Sequence, residues 1–150
     1  MRKPIDASSG SNLLGPWCAN VFNISRYPFI IAANEKTLMC ILFPLKEFGR
    51  FAQLFNASLE RQLKELSVSK HSIAAELNQT TEITLSANTN RRTLGSMNDL
   101  VFQVKTMVYT MPSFTVAQLE QRIQEIPCGS IGYSTPGEAV KRVFKETAPA

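Results

Sequence analysis

Histidine, glycine-rich loops, paired cysteines and long apolar runs are all scarce in this chain, and each scarcity removes a class of function. There is one histidine, His71, so a proton shuttle poised near neutral pH has a single candidate, set in a polar neighbourhood between two helical segments. The three cysteines, Cys18, Cys40 and Cys128, are odd in number and lack C-x-x-C spacing. That argues against a disulfide framework and, with one histidine, against a zinc site, and it fits reduced thiols in a cytoplasmic protein. Gly95 stands alone, and Gly129 with Gly132 flanks a turn without the strand-to-helix setting of a dinucleotide loop. No metal and no cofactor are expected. Apolar runs such as Met39 to Pro44 fall far short of the ~20 residues a membrane span needs, and Arg2 and Lys3 lead into polar residues, not into the apolar stretch of a signal peptide. No membrane partner is expected.

Charge of one sign is also missing. Sixteen Lys and Arg stand against twelve Asp and Glu, a net charge of +4, and the two signs are interleaved. The longest basic clusters are pairs, Arg2-Lys3, Arg91-Arg92 and Lys141-Arg142. A nucleic-acid partner is therefore not expected, since a dedicated binder shows a basic stripe with exposed aromatics.

What the chain does have is ordinary globular composition, with 44% hydrophobic and 19% charged residues over 150 positions. That length suits one domain able to bury roughly 70% of its unfolded surface. Residues 1–14 read as a flexible N-terminal segment and 15–150 as a single α+β domain. Trp17 to Ile24, Phe29 to Ala33 and Thr37 to Phe43 are strand-like runs joined by tight turns, and Thr80 to Ser86 alternates as a fourth. Phe48, Phe51, Phe55, Leu59, Leu63 and Leu66 recur at helical spacing, which predicts a helix over 46–66 with its phenylalanines in the core. Shorter helices are predicted over 70–77, from Ser96 onward, over 115–126, and over 136–146 behind a capping box at Thr135 and Glu138. The fold class is α+β: an antiparallel meander of about four strands packed against four to five helices. The second and third strands are apolar on both faces. Either helices cover both sides or a second copy covers one, and a symmetric homodimer is the expectation.

The most informative stretch runs from Asn88 to Lys105. Ser96 followed by Asp99 reads as a capping box opening an amphipathic helix, with Arg91 and Arg92 just upstream. Read structurally, Ser96 and Asp99 satisfy orphan amides, Asn88 and Asn90 hold turns, and Arg92 pairs with an acid. Read functionally, free amides at a helix start and two guanidinium groups suit a carboxylate or phosphate. On that reading Arg92 faces inward with Asn90, Arg91 faces solvent, and Asn98, Asn20, Asn34, Thr37 and Tyr133 contribute to one polar pocket. Asn34 and Asn20 have plainer roles available, as a turn residue and as a partner for backbone.

Several segments together resemble an uncharacterised bacterial domain family, a domain of unknown function met in small stand-alone proteins and mobile gene cassettes. They are Trp17-x-Ala-Asn20, Asn34-x-x-Thr-Leu38, Asn90-x-Arg-x-Leu-Gly-Ser-Met-Asn-Asp99, and Ile126-Pro-x-x-x-Ile-Gly-Tyr-x-x-Pro136. The resemblance implies a shared fold and surface and no assigned reaction. The expectation is thus a small binding or adaptor module for an anionic small molecule or an acidic protein surface, using Asn90, Arg91, Arg92, Ser96, Asn98 and Asp99. The alternative is a hydrolase or transferase using Cys128 or Asp99. Cys128 could serve as a nucleophile only with a base and an electropositive setting around it.

Overall fold

Apolar residues at both parities of neighbouring strands oblige a sheet to be covered on both faces. In the computed structural model, which describes residues 13–80 and 90–147, three strands pair antiparallel in chain order. They are β1 (Trp17–Ile24), β2 (Tyr27–Asn34) and β3 (Cys40–Pro44). The register sets Ala19, Ala32 and Ile41 abreast on one face and Cys18, Ala33 and Cys40 abreast on the other. The strand expected over 80–86 lies outside the described residues apart from Thr80, which ends a helix instead.

Two turns fix this register. Ser25 takes the left-handed conformation (φ 58) that a two-residue hairpin demands between β1 and β2. Asn34, fully buried, makes the second turn: its Oδ1 accepts from the amides of Lys36 (3.2 Å) and Thr37 (2.9 Å) and from the Thr37 hydroxyl (2.9 Å). Its Nδ2 donates to the carbonyls of Leu14 (2.9 Å) and Pro16 (3.3 Å), so one side chain shapes the turn and staples the incoming chain to it. That staple holds Leu14, which the sequence reading set just before the domain, against the sheet. Leu14 is fully buried, and the Leu13 amide donates to the buried carboxylate of Glu76. Residues 1–12 lie outside the description.

Helices cover both faces of the sheet. The helices are α1 (Phe51–Glu65), α2 (Lys70–Gln79), α3 (Arg91–Thr110), α4 (Val116–Ile123) and α5 (Pro136–Thr147). Phe55, Leu59 and Leu63 of α1, Ile73 of α2 and Val140 and Phe144 of α5 pack on Trp17, Ala32 and Ile41. Met97, Leu100 and Val104 of α3 and Leu119 and Ile123 of α4 pack on the opposite face against Cys18, Ile31 and Leu42. A single copy thus provides helices for both apolar faces, and the reason the sequence offered for a dimer is met within the chain. Phe48 departs from its expected place: it lies in a 3₁₀ segment, Leu45–Arg50, that precedes α1, and is 45% exposed while still touching the Phe51 ring. The Pro44 stop forces this tighter turn before the α-helical ladder begins.

The free edge of β3 is closed by side chains. Glu120 of α4 accepts through Oε2 from the Leu42 amide (2.8 Å) and the Ser58 hydroxyl (2.9 Å), and through Oε1 from Arg61. Gln62 donates to the Cys40 carbonyl at 2.9 Å, and Gln124 donates to Gln62 Oε1 at 2.8 Å. Backbone groups that would otherwise template another strand are paired here with α1 and α4, which belong to opposite layers. Burial raises the Glu120 carboxyl above its ordinary range, against the opposing pull of the Leu42 amide, Arg61 and Ser58.

Candidate functional site

The start of α3 decides what its side chains can reach. Asn90 is the N-cap: its Oδ1 accepts from the Thr93 amide at 3.1 Å, and Thr93, Met97, Leu100 and Val104 then recur on the buried face. The capping box expected at Ser96 and Asp99 is therefore overturned. Ser96 lies more than one turn inside the helix, where the ladder already takes its amide. Asparagine is among the strongest N-caps, and an interior glycine costs only about 1 kcal/mol, so Asn90 starts the helix and Gly95 rides within it. The other face of the Asn90 amide donates to Glu35 Oε1 at 2.6 Å, and Glu35 Oε2 accepts from the Cys18 thiol at 3.0 Å. The helix start is thus tied to the turn between β2 and β3 and to β1.

Opposite α3 runs the segment that leaves α4. Cys128 to Ser134 closes on itself, with the Cys128 carbonyl accepting from Ile131 (3.1 Å) and Tyr133 (2.9 Å) and the Cys128 amide donating to Ser134 (3.1 Å). Gly132 and Tyr133 are both left-handed, with φ 68 and φ 63. The next residues form the capping box expected there: the Thr135 amide donates to Glu138 Oε1 at 2.9 Å and the Glu138 amide to Thr135 Oγ1 at 3.1 Å. That bond to the Thr135 amide holds the Glu138 carboxyl below its usual value.

Between α3 and residues 126–130 lies a cleft of about 660 Å³, walled by Arg91, Arg92, Ser96 and Asp99 on one side and by Cys128 and Ser130 on the other. A smaller cavity of about 180 Å³ adjoins it, lined by Glu35, Lys36 and Thr93 and sharing Arg92, Ser96 and Ser130. Two contacts form the partition: the Arg92 guanidinium donates to the Ser130 carbonyl, and the Ser96 and Ser130 hydroxyls stand 2.8 Å apart. Both arginines are exposed and line the larger cleft, and Arg92 alone reaches the smaller one. Among the described residues neither is in an ion pair.

The remaining sequence candidates lie elsewhere. Asn34 and Thr37 are spent on their turn. Asn20 is exposed on β1 and accepts from the Val21 amide at 2.8 Å. Asn98 is exposed and does not line the cleft. Tyr133, 77% exposed, faces a separate shallow depression beside α5. Among the described residues these side chains do not line one cavity together.

Cys128 and Asp99, the residues of the enzymatic alternative, do meet in the cleft, but their pairing opposes activation. Partial burial first, and the Asp99 charge second, raise the Cys128 thiol above its ordinary range, whereas a nucleophilic cysteine needs a lowered one. His71 is exposed on α2 and does not line the cleft. Among the described residues no group of three metal-ligating side chains occurs, and no helix is long and apolar enough to cross a membrane. The cleft's chemical means are two guanidinium groups, two hydroxyls, one carboxylate, the Gln103 amide and the Cys128 thiol.

Sequence reasoning passed over Ser130, which faces Ser96 across the cleft, and the polar cluster at the β3 edge. A signal for the latter was present: Ser58 and Gln62 stand four apart on the helix face that carries Phe55, Leu59 and Leu63, and polar residues at such positions need buried partners. Ser130 carried no comparable signal.

A family model described as a domain of unknown function (DUF6933) matches residues 2–139. No curated protein and no solved structure matches the chain.

Proposed function

Because the chain belongs to the DUF6933 family, a domain of unknown function, its role has to be argued from the cleft itself, and we propose that it is a small binding module for an anionic ligand or an acidic partner. The observation that carries this reading is the state of Arg91 and Arg92. They stand together on a concave surface, neither is ion-paired among the described residues, and Arg92 is oriented by a carbonyl, which leaves its charge uncompensated. Guanidinium groups held in this way favour bidentate recognition of carboxylate or phosphate. The Ser96 and Ser130 hydroxyls add neutral donors, and the Asp99 carboxylate in the same lining opposes an anion beside it. A cytoplasmic setting is part of the proposal, since buried thiols such as Cys18 and Cys40 persist reduced there.

Titration with inorganic phosphate, followed by thermal melting, tests it. A ligand that binds only the folded chain raises the melting temperature with concentration. The rise is expected in the wild type and is expected to disappear in the Arg91→Gln, Arg92→Gln double variant. An equal rise in both proteins would remove the arginines from the reading.

A further inference from the structure

The sequence scatters its basic residues, yet the fold brings two of its pairs to the two ends of one loop. Arg92, beside Arg91, donates to the Ser130 carbonyl, and Arg142 donates to the Ser134 hydroxyl at 3.1 Å. Four residues of backbone span at most about 14 Å, and the internal hydrogen bonds of the 128–134 loop make it shorter still. Lys141 and Lys145 lie exposed around the same depression as Arg142.

Tyr133 stands between the two basic groups. Its left-handed backbone, following Gly132, sends the ring out of the loop and back over Gly129, where an added methyl would come to rest 3.5 Å from the ring. Gly129 belongs to the wall of the α3 cleft, and Tyr133 lines the depression beside Lys141, Arg142 and Lys145. The exposed phenol ring therefore links the two surfaces. The opposing carboxylates are Asp99 and Glu35 at one end, the latter engaged by the Asn90 side-chain amide and the Cys18 thiol, and Glu138 at the other, engaged by the Thr135 amide.

We propose that Arg91, Arg92, Tyr133, Lys141, Arg142 and Lys145 form a binding surface for single-stranded nucleic acid, with phosphates on the cations and a base stacked on Tyr133. Cations alone would serve any polyanion. An exposed aromatic ring set among them serves a ligand that alternates phosphates with flat bases, which is how single strands are gripped without sequence readout. The proposal reverses the expectation drawn from the linear order of charges, because the stripe exists only after folding. It extends beyond a small anion in the cleft and does not require one.

Fluorescence anisotropy of the full chain with a labelled oligothymidylate, over a series of salt concentrations, tests it. Binding is expected at low salt and should weaken as salt rises, with the slope set by the number of phosphates neutralised. Tyr133→Ala should weaken oligonucleotide binding about tenfold while leaving inorganic polyphosphate binding unchanged, and Tyr133→Trp should restore or exceed the wild-type affinity. Neutralising either pair, Arg91 and Arg92 or Lys141 and Arg142, should flatten the salt slope. The proposal is overturned if the oligonucleotide does not bind at low salt, if Tyr133→Ala leaves it unaffected, or if only one of the two basic pairs matters. Phosphate binding without oligonucleotide binding overturns it while preserving the cleft reading; the reverse result overturns the cleft reading and preserves this one.

Discussion

Two polar clusters in this protein use the same residue types to opposite ends. At the β3 edge, Arg61, Glu120, Ser58, Gln62 and Gln124 face one another and two backbone groups of the strand. At the α3 cleft, Arg91, Arg92, Ser96, Asp99 and Ser130 face a cavity of about 660 Å³. The first cluster has a carboxylate bound to its guanidinium and joins the two helical layers; the second, among the described residues, leaves both guanidinium groups without one. A charge paired and buried is committed to the fold, because removing its partner strands it away from water. A charge set on a concave surface without a partner is available to something else, and this difference separates clasp from candidate site here.

The largest effect should come from breaking the clasp. Glu120→Ala leaves the buried Leu42 amide and Ser58 hydroxyl without their acceptor, whereas Arg61, 38% exposed, keeps Glu65 at 3.6 Å; a buried polar group left unsatisfied costs about 1 to 3 kcal/mol. Urea unfolding measures it. A loss below about 1 kcal/mol would place the edge cluster among surface ion pairs and dissolve the comparison.

The same cluster predicts a pH dependence whose sign follows from the raised carboxyl. Glu120 binds its proton more tightly in the fold than in the unfolded chain, so its contribution to stability is present while it is protonated and falls as pH rises from the usual 4.5 through the folded value. Glu76, also raised by burial, acts in the same direction. Between pH 4.5 and neutrality, Glu120→Gln should therefore lose stability less steeply than the wild type, with the slope from Glu76 remaining. Melting curves across that range decide it, and parallel slopes would show that Glu120 titrates alike in both states.

These two regions also mark how far the sequence could be read. Periodicity located the three strands and the apolar faces of the helices, since Phe55, Leu59 and Leu63 or Met97, Leu100 and Val104 have no other way to be buried together. The capping boxes came out unequally. Thr135 with Glu138 is the only cap competing for α5, whereas at α3 Asn90 and Ser96 both qualify, and the buried Thr93 and the anchor to Glu35 decide for Asn90. Of the site residues, Arg91, Arg92 and Asp99 were legible because a helix carries them as a block. Ser130 was not, since its place opposite Ser96 depends on how α4 and the 128–134 loop return across the sheet, and no local pattern encodes that return. Asn34 and Thr37 were singled out for their polarity, which the turn consumes.

Smaller changes refine the boundary between clasp and site. Asn90→Ala removes the α3 cap and should cost roughly 1 kcal/mol. Gly95→Ala should have about the same magnitude and the opposite sign, because an interior helical glycine lowers stability by about 1 kcal/mol and an added methyl there meets nothing within 4 Å. If Gly95→Ala is stabilising yet abolishes the phosphate-induced rise in melting temperature, a ligand approaches the helix backbone at that point, and the cleft gains a floor as well as its arginines.

The smallest predicted effect concerns Ser96. Its hydroxyl lies 2.8 Å from that of Ser130 at a half-buried position, so in Ser96→Ala the Ser130 hydroxyl can turn to water and the cost should stay within about 0.5 kcal/mol. An N-cap at this position would cost roughly twice as much, and Asn90→Ala measured alongside supplies the internal standard. Should Ser96→Ala and Ser130→Ala each cost 1 kcal/mol or more without adding in the double variant, the two hydroxyls act as one buried unit. The partition of the cleft would then be a second clasp, of the same kind as the one at the β3 edge, and the openness that distinguishes the arginine cluster would be confined to Arg91 and the outer rim.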